Sequence, residues 1–407
     1  MYNHAAQRQY QSVNTMNERT AATYSIVWKN RMAGIDQSAW DALAMPLQTP
    51  LLEWEWLRLL EESGSVRAET GWLPYHLTVW SGSRLVAAAP LYVKGHSSGE
   101  FVFDHAWADL AERLDIRYYP KLVGMSPFSP VVGYRFLIAP DHDEEKISRL
   151  MISAIDRFCI ENRLSGCSFL FVDPAWHERI EALGFTSWRH QSYVWKNSGF
   201  KTFEDYLAAF NTNQRRNIKR ERKTLQQMGI TIKALTGEQI QRRLFPLMYD
   251  YYTRTNDQYG PWGCKYLTAE FFEGLYADYR HRLLLMAAFA GDDPVELPVG
   301  MSFLLTKNDR LYGRYWGSGK RLNHLHFNAC YYSPIEWAIE HGARQFDPGM
   351  GSAHKVRRGF AAVANHSLHR FYDPRLAQIL QLHIDEINRQ EQQQIDALNK
   401  ALPFARH

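Results

Sequence analysis

The sequence predicts an α/β (α+β) protein of two domains in tandem, each a mixed sheet flanked by helices, and three observations lead there. Phe346-Asp347-Pro348 through His354-Lys355 to Arg358-Gly359-Phe360 echoes Phe171-Val172-Asp173-Pro174 through Leu183-Gly184-Phe185. A helical pattern precedes each copy (Ile152, Ile155 and Phe158; Ile335, Ala338 and Ile339), and His190 and His366 each lead into an aromatic-rich strand afterwards. Self-similarity of this kind marks a duplicated unit. The chain is also 407 residues long, beyond the ~250–300 residues at which a single core stops growing. Finally, short apolar alternations punctuated by Gly and Ser turns are interspersed with helical periodicities. The expected division is a polar tail over 1–20, a first domain over 21–200, a second over 201–375 and a C-terminal helical segment over 376–407.

Each element has a local reason. Ser25-Ile26-Val27-Trp28 starts a strand, and an amphipathic helix is expected over about 52–62, stopped by Ser63-Gly64. Residues 75–80 and 85–93 read as strands about a Ser81-Gly82-Ser83 turn. Residues 94–138, rich in aromatics and prolines, read as a long structured loop of the kind that carries sites. The second half opens on one helix over about 203–228, capped by Thr202 and stopped by Gly229, with Leu207, Phe210, Ile218, Leu225 and Met228 as its apolar stripe. Strands are expected over 283–289, 299–306 and 311–316, then a helix to about Gly342. Residues 376–402 form a charged, Gln-rich helix or helix pair with no expected part in chemistry.

Composition narrows the function. No apolar run approaches the ~20 residues of a membrane span, and the first twenty residues hold no hydrophobic signal core, so a cytoplasmic protein is expected. Four cysteines without a Cys-x-x-Cys pair suit a reducing compartment. A net charge of +4 is mild, so any affinity for a polyanion rests on local clustering.

Several motifs could carry chemistry. Gly95-His96-Ser97-Ser98-Gly99 fits the nucleophile elbow of serine hydrolases, but that turn must run straight into a helix, and Glu100 to Asp104 alternates like a strand. Arg314-Tyr315-Trp316-Gly317-Ser318-Gly319 fits the Arg/Gln-x-x-Gly-x-Gly/Ala signature of acetyltransferases, whose glycines admit a pyrophosphate to backbone N–H groups; Lys320-Arg321 follows it. Gly349-Met350-Gly351-Ser352-Ala353-His354-Lys355 offers backbone donors, a base and a cation, which is what acyl transfer to an amine needs. His324, His326 and Cys330, or His366 and His369, lie close in sequence, but no accompanying carboxylate fixes a metal site, and none is expected. Arg215, Arg216, Lys219, Arg220, Arg222 and Lys223 crowd one helix and suit a polyanion such as tRNA, or form a solvated face. Lys94, His96, Glu100, Asp104, Lys121 and Arg135 lie among aromatics, a mixture found in pocket linings.

Taken together, the chain resembles the bacterial FemAB-like group of predicted N-acyltransferases, relatives of the Fem aminoacyl transferases of peptidoglycan synthesis. The resemblance rests on Pro90-Leu91-Tyr92-Val93-Lys94 with His96-Ser97 and Gly99-Glu100, Tyr118-Tyr119-Pro120-Lys121-Leu122, Arg216-Asn217-Ile218 with Glu221-Arg222, and Leu311-Tyr312-Gly313-Arg314-Tyr315-Trp316-Gly317. It continues through Leu325-His326-Phe327, Cys330-Tyr331-Tyr332, Phe346-Asp347-Pro348-Gly349, His354-Lys355 and Arg358-Gly359-Phe360, spanning about 45–375. It implies two GNAT-like domains and transfer of an acyl or aminoacyl group to an amine. It also implies an acidic residue before the His-Lys pair, where Ala353 stands.

The resulting expectation is an N-acyltransferase with His354 and Lys355 as catalytic residues in the second half. His354 assists deprotonation, while Lys355 and N–H groups near Gly349 to Gly351 hold developing negative charge. Arg314, Trp316, Gly317, Gly319, Gly349, Gly351 and Arg358 are expected to bind the donor, an aminoacyl-tRNA or an acyl-CoA used as co-substrate, with no tightly bound cofactor. Lys94, His96, Glu100, Asp104, Lys121, His326, Tyr331, Tyr332 and Asp347 are expected to bind the amine-bearing acceptor or precursor in a cleft between the domains. Alternatives are a non-catalytic protein binding a cell-wall precursor or nucleic acid on the same fold, and a serine hydrolase using Ser97.

Overall fold

The computed structural model describes residues 24–291, 297–351 and 353–405; the expected tail over 1–20 lies outside them. The chain forms two compact units. The first takes the described residues up to His190 together with Asn365–Gln390, and the second takes Gln191–Ala364 together with the chain from Glu391 onward.

The first unit runs through β1 (Tyr24–Lys29), α1 (Gln37–Ala44), α2 (Trp54–Glu62), β2 (Trp72–Pro74), β3 (His76–Ser81), β4 (Arg84–Ala89), β5 (Leu91–Lys94), α3 (His105–Arg113), β6 (Lys121–Gly124), β7 (Leu137–Ile138), α4 (Glu144–Glu161), β8 (Gly166–Phe169) and α5 (Pro174–Glu181). β9 (Thr186–Lys196) carries the chain into the second unit, which continues through α6 (Phe203–Ala208), α7 (Thr212–Gln227), β10 (Ile230–Thr236), α8 (Leu244–Asp257), α9 (Ala269–Gly274), β11 (Leu283–Ala290), β12 (Gly300–Lys307), β13 (Arg310–Ser318), α10 (Leu325–Phe327), α11 (Ser333–Glu340) and β14 (Gln345–Asp347). β15 (Ala361–Phe371) returns it, and α12 (Pro374–Lys400) ends it.

In the first unit β1-β3-β4-β7 form one antiparallel sheet, and a second runs β2-β5-β6-β8-β15. Only β6 and β8 are parallel there, with Leu122 opposite Cys167. In the second unit the order is β10-β11-β12-β13-β14-β9, and only β13 and β14 are parallel. Each Asp-Pro strand is thus flanked by one parallel neighbour and by the long last strand of the other repeat: β15 pairs β8, and β9 pairs β14. That exchange is why the expected boundaries at 200 and 375 differ from those observed, since the crossings fall inside strands rather than in linkers.

Two other expectations are corrected. The single helix over 203–228 is two: the Thr202 and Asp205 capping box starts α6, and Asn211 starts α7 by accepting from the Gln214 N–H. Gly229, at φ +68, ends α7 as expected. The C-terminal segment, expected as a helix or helix pair, is a single helix. Its Leu376, Leu380 and Ile384 pack with Trp107 of α3 in the first unit, whereas Ile395 joins the Tyr206, Phe210 and Tyr332 core of the second. The strand expected over 85–93 breaks at Pro90, which has no N–H for a ladder, so β4 and β5 enter different sheets.

Candidate active site

β13 and β14 pair from Arg310 opposite Gln345 to Tyr312 opposite Asp347 and then part. β13 runs on beside β12, while β14 stops at Pro348 and turns through Gly349 at φ +76. A Cβ on Gly349 would stand 3.1 Å from the Gly313 carbonyl, so the turn presses close against the strand and takes glycine. Parallel strands that diverge at their C-terminal ends open a crevice, the usual ligand position in such sheets. Here it is a cavity of about 170 Å³, lined by Ser302, Phe303, Leu304, Gly313 to Trp316, His326, Cys330, Tyr331, Pro348, Met350 and Lys355.

Two irregularities shape the walls. Phe303 faces Tyr315 and Leu304 faces Gly313, so Arg314 is the extra residue of a bulge. A π-helical turn over Asn328–Tyr332 carries Cys330 and Tyr331; such turns concentrate at functional sites.

The 3₁₀ turn Ala353–Arg358 carries His354 and Lys355, the pair expected to act in catalysis. His354 Nε2 lies 3.0 Å from the Tyr331 hydroxyl. Burial, aided by Arg358 and Lys355, depresses the imidazole to about 4, and burial with neighbouring His354 does the same to His326. Lys355 is buried and its Nζ donates to the carbonyls of Gly349 at 2.6 Å and Met350 at 2.7 Å, with Pro348 at 3.4 Å; burial lowers it to about 8. Burial raises Asp347, whose Oδ1 accepts the Gly349 N–H.

Several expected roles change. The Gly349 N–H is committed to Asp347, and Lys355 holds the carbonyls of its loop, so Lys355 shapes the cavity wall and Gly349 offers no free donor for an oxyanion. Gly317 lies inside β13, and a Cβ there would meet the Tyr251 carbonyl oxygen at 2.2 Å; on Gly319 it would meet the Tyr251 ring at 3.0 Å. These two glycines let α8 pack against the sheet and do not cradle a phosphate. Tyr332 is buried and donates to Glu221, and Arg358 bridges Glu221 (3.1 Å) and the His354 carbonyl (2.9 Å), its guanidinium 3.4 Å over Phe327. Both therefore brace the 353–358 turn against α7. Ala353 is exposed at the start of that turn, and Gly351, at φ +137, packs near Lys355 Nζ.

Arg314, Trp316, His326, Tyr331 and Lys355 do converge on the cavity. Sequence reasoning missed Ser302, Phe303, Tyr315, Cys330 and Met350 there, and the bracing role of Glu221. Met350 had a signal: it stands three residues after Asp347, where the first copy has Trp176 three after Asp173.

The first-unit residues also come together, within that unit. Lys94 and Lys121 are directly opposite on β5 and β6. Lys121 Nζ contacts Glu100 Oε2 at 2.8 Å, Asp104 Oδ2 at 2.5 Å and Ser97 Oγ at 2.8 Å. Burial opposes the Lys121 charge, but the two carboxylates outweigh it and hold the ammonium above its ordinary range. Lys94 Nζ sits 3.5 Å over the Trp72 ring, and burial lowers it to about 7. All four charged side chains are buried and only His96 is exposed, so the group ties the 95–104 loop to its sheet. Ser97 Oγ lies among Asp104, Tyr119 and a protonated Lys121, and residues 101–104 form neither helix nor strand, so the elbow geometry is not met.

On α7, Arg216, Lys219, Arg220 and Lys223 are exposed. Arg222 pairs with Glu336 at 2.6 Å, Lys219 with Glu204 at 3.0 Å, and Arg215 caps the Phe210 carbonyl. Among the described residues no three metal-type ligands gather, and no helix is long and apolar enough to cross a membrane.

The fold is therefore α/β, with mixed sheets flanked by helices in each of two units. The chain belongs to the FemAB-like family, described as peptidoglycan biosynthesis/recognition, which matches residues 31–406. Its fold is similar to that of FemX, at 11% identity and TM-score 0.53 over 85% of this chain and 98% of that one. It is also similar to the C-terminal domain of an Agrobacterium fabrum protein named as a lysylphosphatidylglycerol synthetase, at 9% identity and TM-score 0.51, over 86% and 96%. A tandem GNAT protein from the clavulanic acid biosynthesis pathway aligns at 12% identity and TM-score 0.44, over 86% and 99%. No curated protein matches the chain.

Proposed function

We propose that the protein transfers an acyl or aminoacyl group from an activated donor to the amine of a small molecule or precursor, in the cavity where β13 and β14 part. The observation that carries this reading is the cavity where the strands part, with Tyr331 and Lys355 in its lining and His354 Nε2 at 3.0 Å from the Tyr331 hydroxyl. The acyl carbonyl lies over the bulge and the amine attacks it; the adduct then breaks its bond to the donor's ester oxygen or thioester sulfur, and the ammonium proton passes by way of Tyr331 and His354 Nε2 to that leaving group, which departs as a hydroxyl or thiol. An imidazole depressed to about 4 is neutral at pH 7 and relays a proton without retaining it; it is too weak a base to strip a free alkylammonium, so the acceptor enters as a free amine. A cavity of roughly 150 Å³ holds a benzene-sized molecule, so the space suits a short acyl or aminoacyl group and not a whole cofactor.

For the donor, the exposed Arg216, Arg220 and Lys223 support an aminoacyl-tRNA, and the packing role of Gly317 and Gly319 removes the motif that favoured acyl-CoA. The family's description supports a cell-wall precursor as acceptor. The test is transfer of labelled acyl groups from charged tRNA and from acyl-CoA to an amine pool. Transfer from tRNA that falls steeply with salt, and falls further in Arg216→Glu with Lys223→Glu, supports the reading; absence of transfer from either donor defeats it.

A further inference from the structure

A second cavity lies in the same unit, between α7, β10 and α11, and the transfer reading makes no use of it. It measures about 390 Å³, a size usual for small-molecule sites, and shares no lining residue with the cavity at the β13–β14 fork. Leu225, Ile230, Ile232, Met286 and Trp337 give it an apolar floor. Its charges are uneven. Arg222 is matched by Glu336 at 2.6 Å, and Glu340 then stands in the lining as a carboxylate with no ion pair among the described residues. Glu340 is also unfavourable where it stands. It lies one turn after Glu336 on the same helix, a like-charge spacing that destabilises, and it ends α11, where the helix dipole repels a negative charge. Neither arrangement helps α11, so the acid is explained by what the cavity takes. A further acceptor comes from the π-helical turn. Asn328 is 4% exposed, and its Nδ2 donates to the carbonyls of Glu221 (3.3 Å) and His324 (2.9 Å), which leaves Oδ1 without a protein donor and turned to the cavity it lines.

From these groups we infer that the cavity binds a small organic ammonium ion, an apolar body bearing a primary amine, at a site separate from the reacting one. The ammonium brings a positive charge and three N–H donors. Glu340 answers the charge, Asn328 Oδ1 accepts a hydrogen bond, and the apolar floor takes the body. An anion of the same size meets Glu336 and Glu340 and is rejected. The inference does not rest on the transfer reading.

The probe is 2-phenylethylamine, titrated calorimetrically into the full-length protein at low salt, with 2-phenylethanol and 3-phenylpropanoate as its neutral and anionic counterparts. The amine is expected to bind, and Glu340→Gln to weaken it about fivefold, the upper worth of an exposed ion pair. The same substitution should raise the thermal midpoint, because it removes the repulsion on α11; an acid kept for the fold alone would lower it. Gln226→Trp, exposed on α7 at the cavity wall, should fill the space and remove the binding with an unchanged circular dichroism spectrum. No amine binding, binding of the alcohol or the carboxylate as tight as that of the amine, or amine affinity unchanged in both folded variants overturns the assignment. Amine binding that is lost in Met350→Trp and kept in Glu340→Gln places the amine at the fork as acceptor and equally overturns it. Because these titrations need no turnover, absence of acyl transfer sinks the transfer reading alone.

Discussion

The two units place the same strand pair in opposite states. In the first, β6 and β8 end together at Gly124 opposite Phe169, and the space beyond is filled: a Cβ on Gly124 would strike the Tyr134 hydroxyl at 2.2 Å. Tyr134, Phe136, Phe169 and Trp176 close it as a buried aromatic cluster, with Phe136 and Trp176 ring centroids 4.8 Å apart. In the second, β13 and β14 diverge and leave the cavity. The Asp-Pro turns diverge accordingly. Asp173 caps α5 by accepting the Ala175 N–H, so that copy runs straight into a helix carrying Trp176. Asp347 instead holds Gly349, and glycines replace the helix. One copy spends the fork on stability, and the other keeps it open for a ligand.

Exchanging the plug tests the contrast most severely. Met350→Trp should fill the second fork and cut transfer by on the order of a hundredfold or more, as blocked positioning does, while circular dichroism stays that of the native protein. Trp176→Ala should hollow the first fork and lower unfolding free energy by about 3–5 kcal/mol, the range for large aromatic truncations, with the transfer rate per folded molecule kept; urea titration and kinetics read the two halves of that expectation. Gly317→Ala should destabilise by about 1–3 kcal/mol through overpacking on Tyr251. Lost donor affinity at full stability would instead restore the cradle role.

Acid sharpens the comparison more gently. Burial depresses His190 and His369 to about 3 and His366 to about 4 in the first unit, and His326 and His354 to about 4 in the second. The unfolded imidazoles protonate near 6.5, so between about 6.5 and 4 the unfolded chain binds more protons and stability falls as pH falls. Three such groups against two mean that limited proteolysis from pH 7 to 5 should cut the first unit earlier. The smallest effect belongs to Ser97→Ala, about 0.5–1.5 kcal/mol for a lost hydrogen bond, with no labelling of the native serine by a fluorophosphonate.

Much of this was legible in residue types. The duplicated Phe-Asp-Pro segments foretold paired domains, and Thr202 and Gly229 marked true helix ends, because these signals are local. Arg314, Tyr331 and Lys355, each named from its own motif, line one cavity, and His354 touches Tyr331, although they sit on three separate elements. What escaped depends on partners distant in sequence. Gly317 looks like a phosphate cradle until the α8 backbone is set against it, and Arg358 looks like a ligand contact until Glu221, on another helix, claims its guanidinium. Strand exchange was hidden because β9 and β15 are continuous strands whose halves serve different units.

The claim on which the account depends is that the open second fork, and not the plugged first one, holds the reacting carbonyl. Acyl-transfer rates of Met350→Trp and Trp176→Ala, measured side by side on folded protein, test it most directly. Loss in the former with retention in the latter is the expected result; a Met350→Trp protein that transfers as fast as the native one contradicts it.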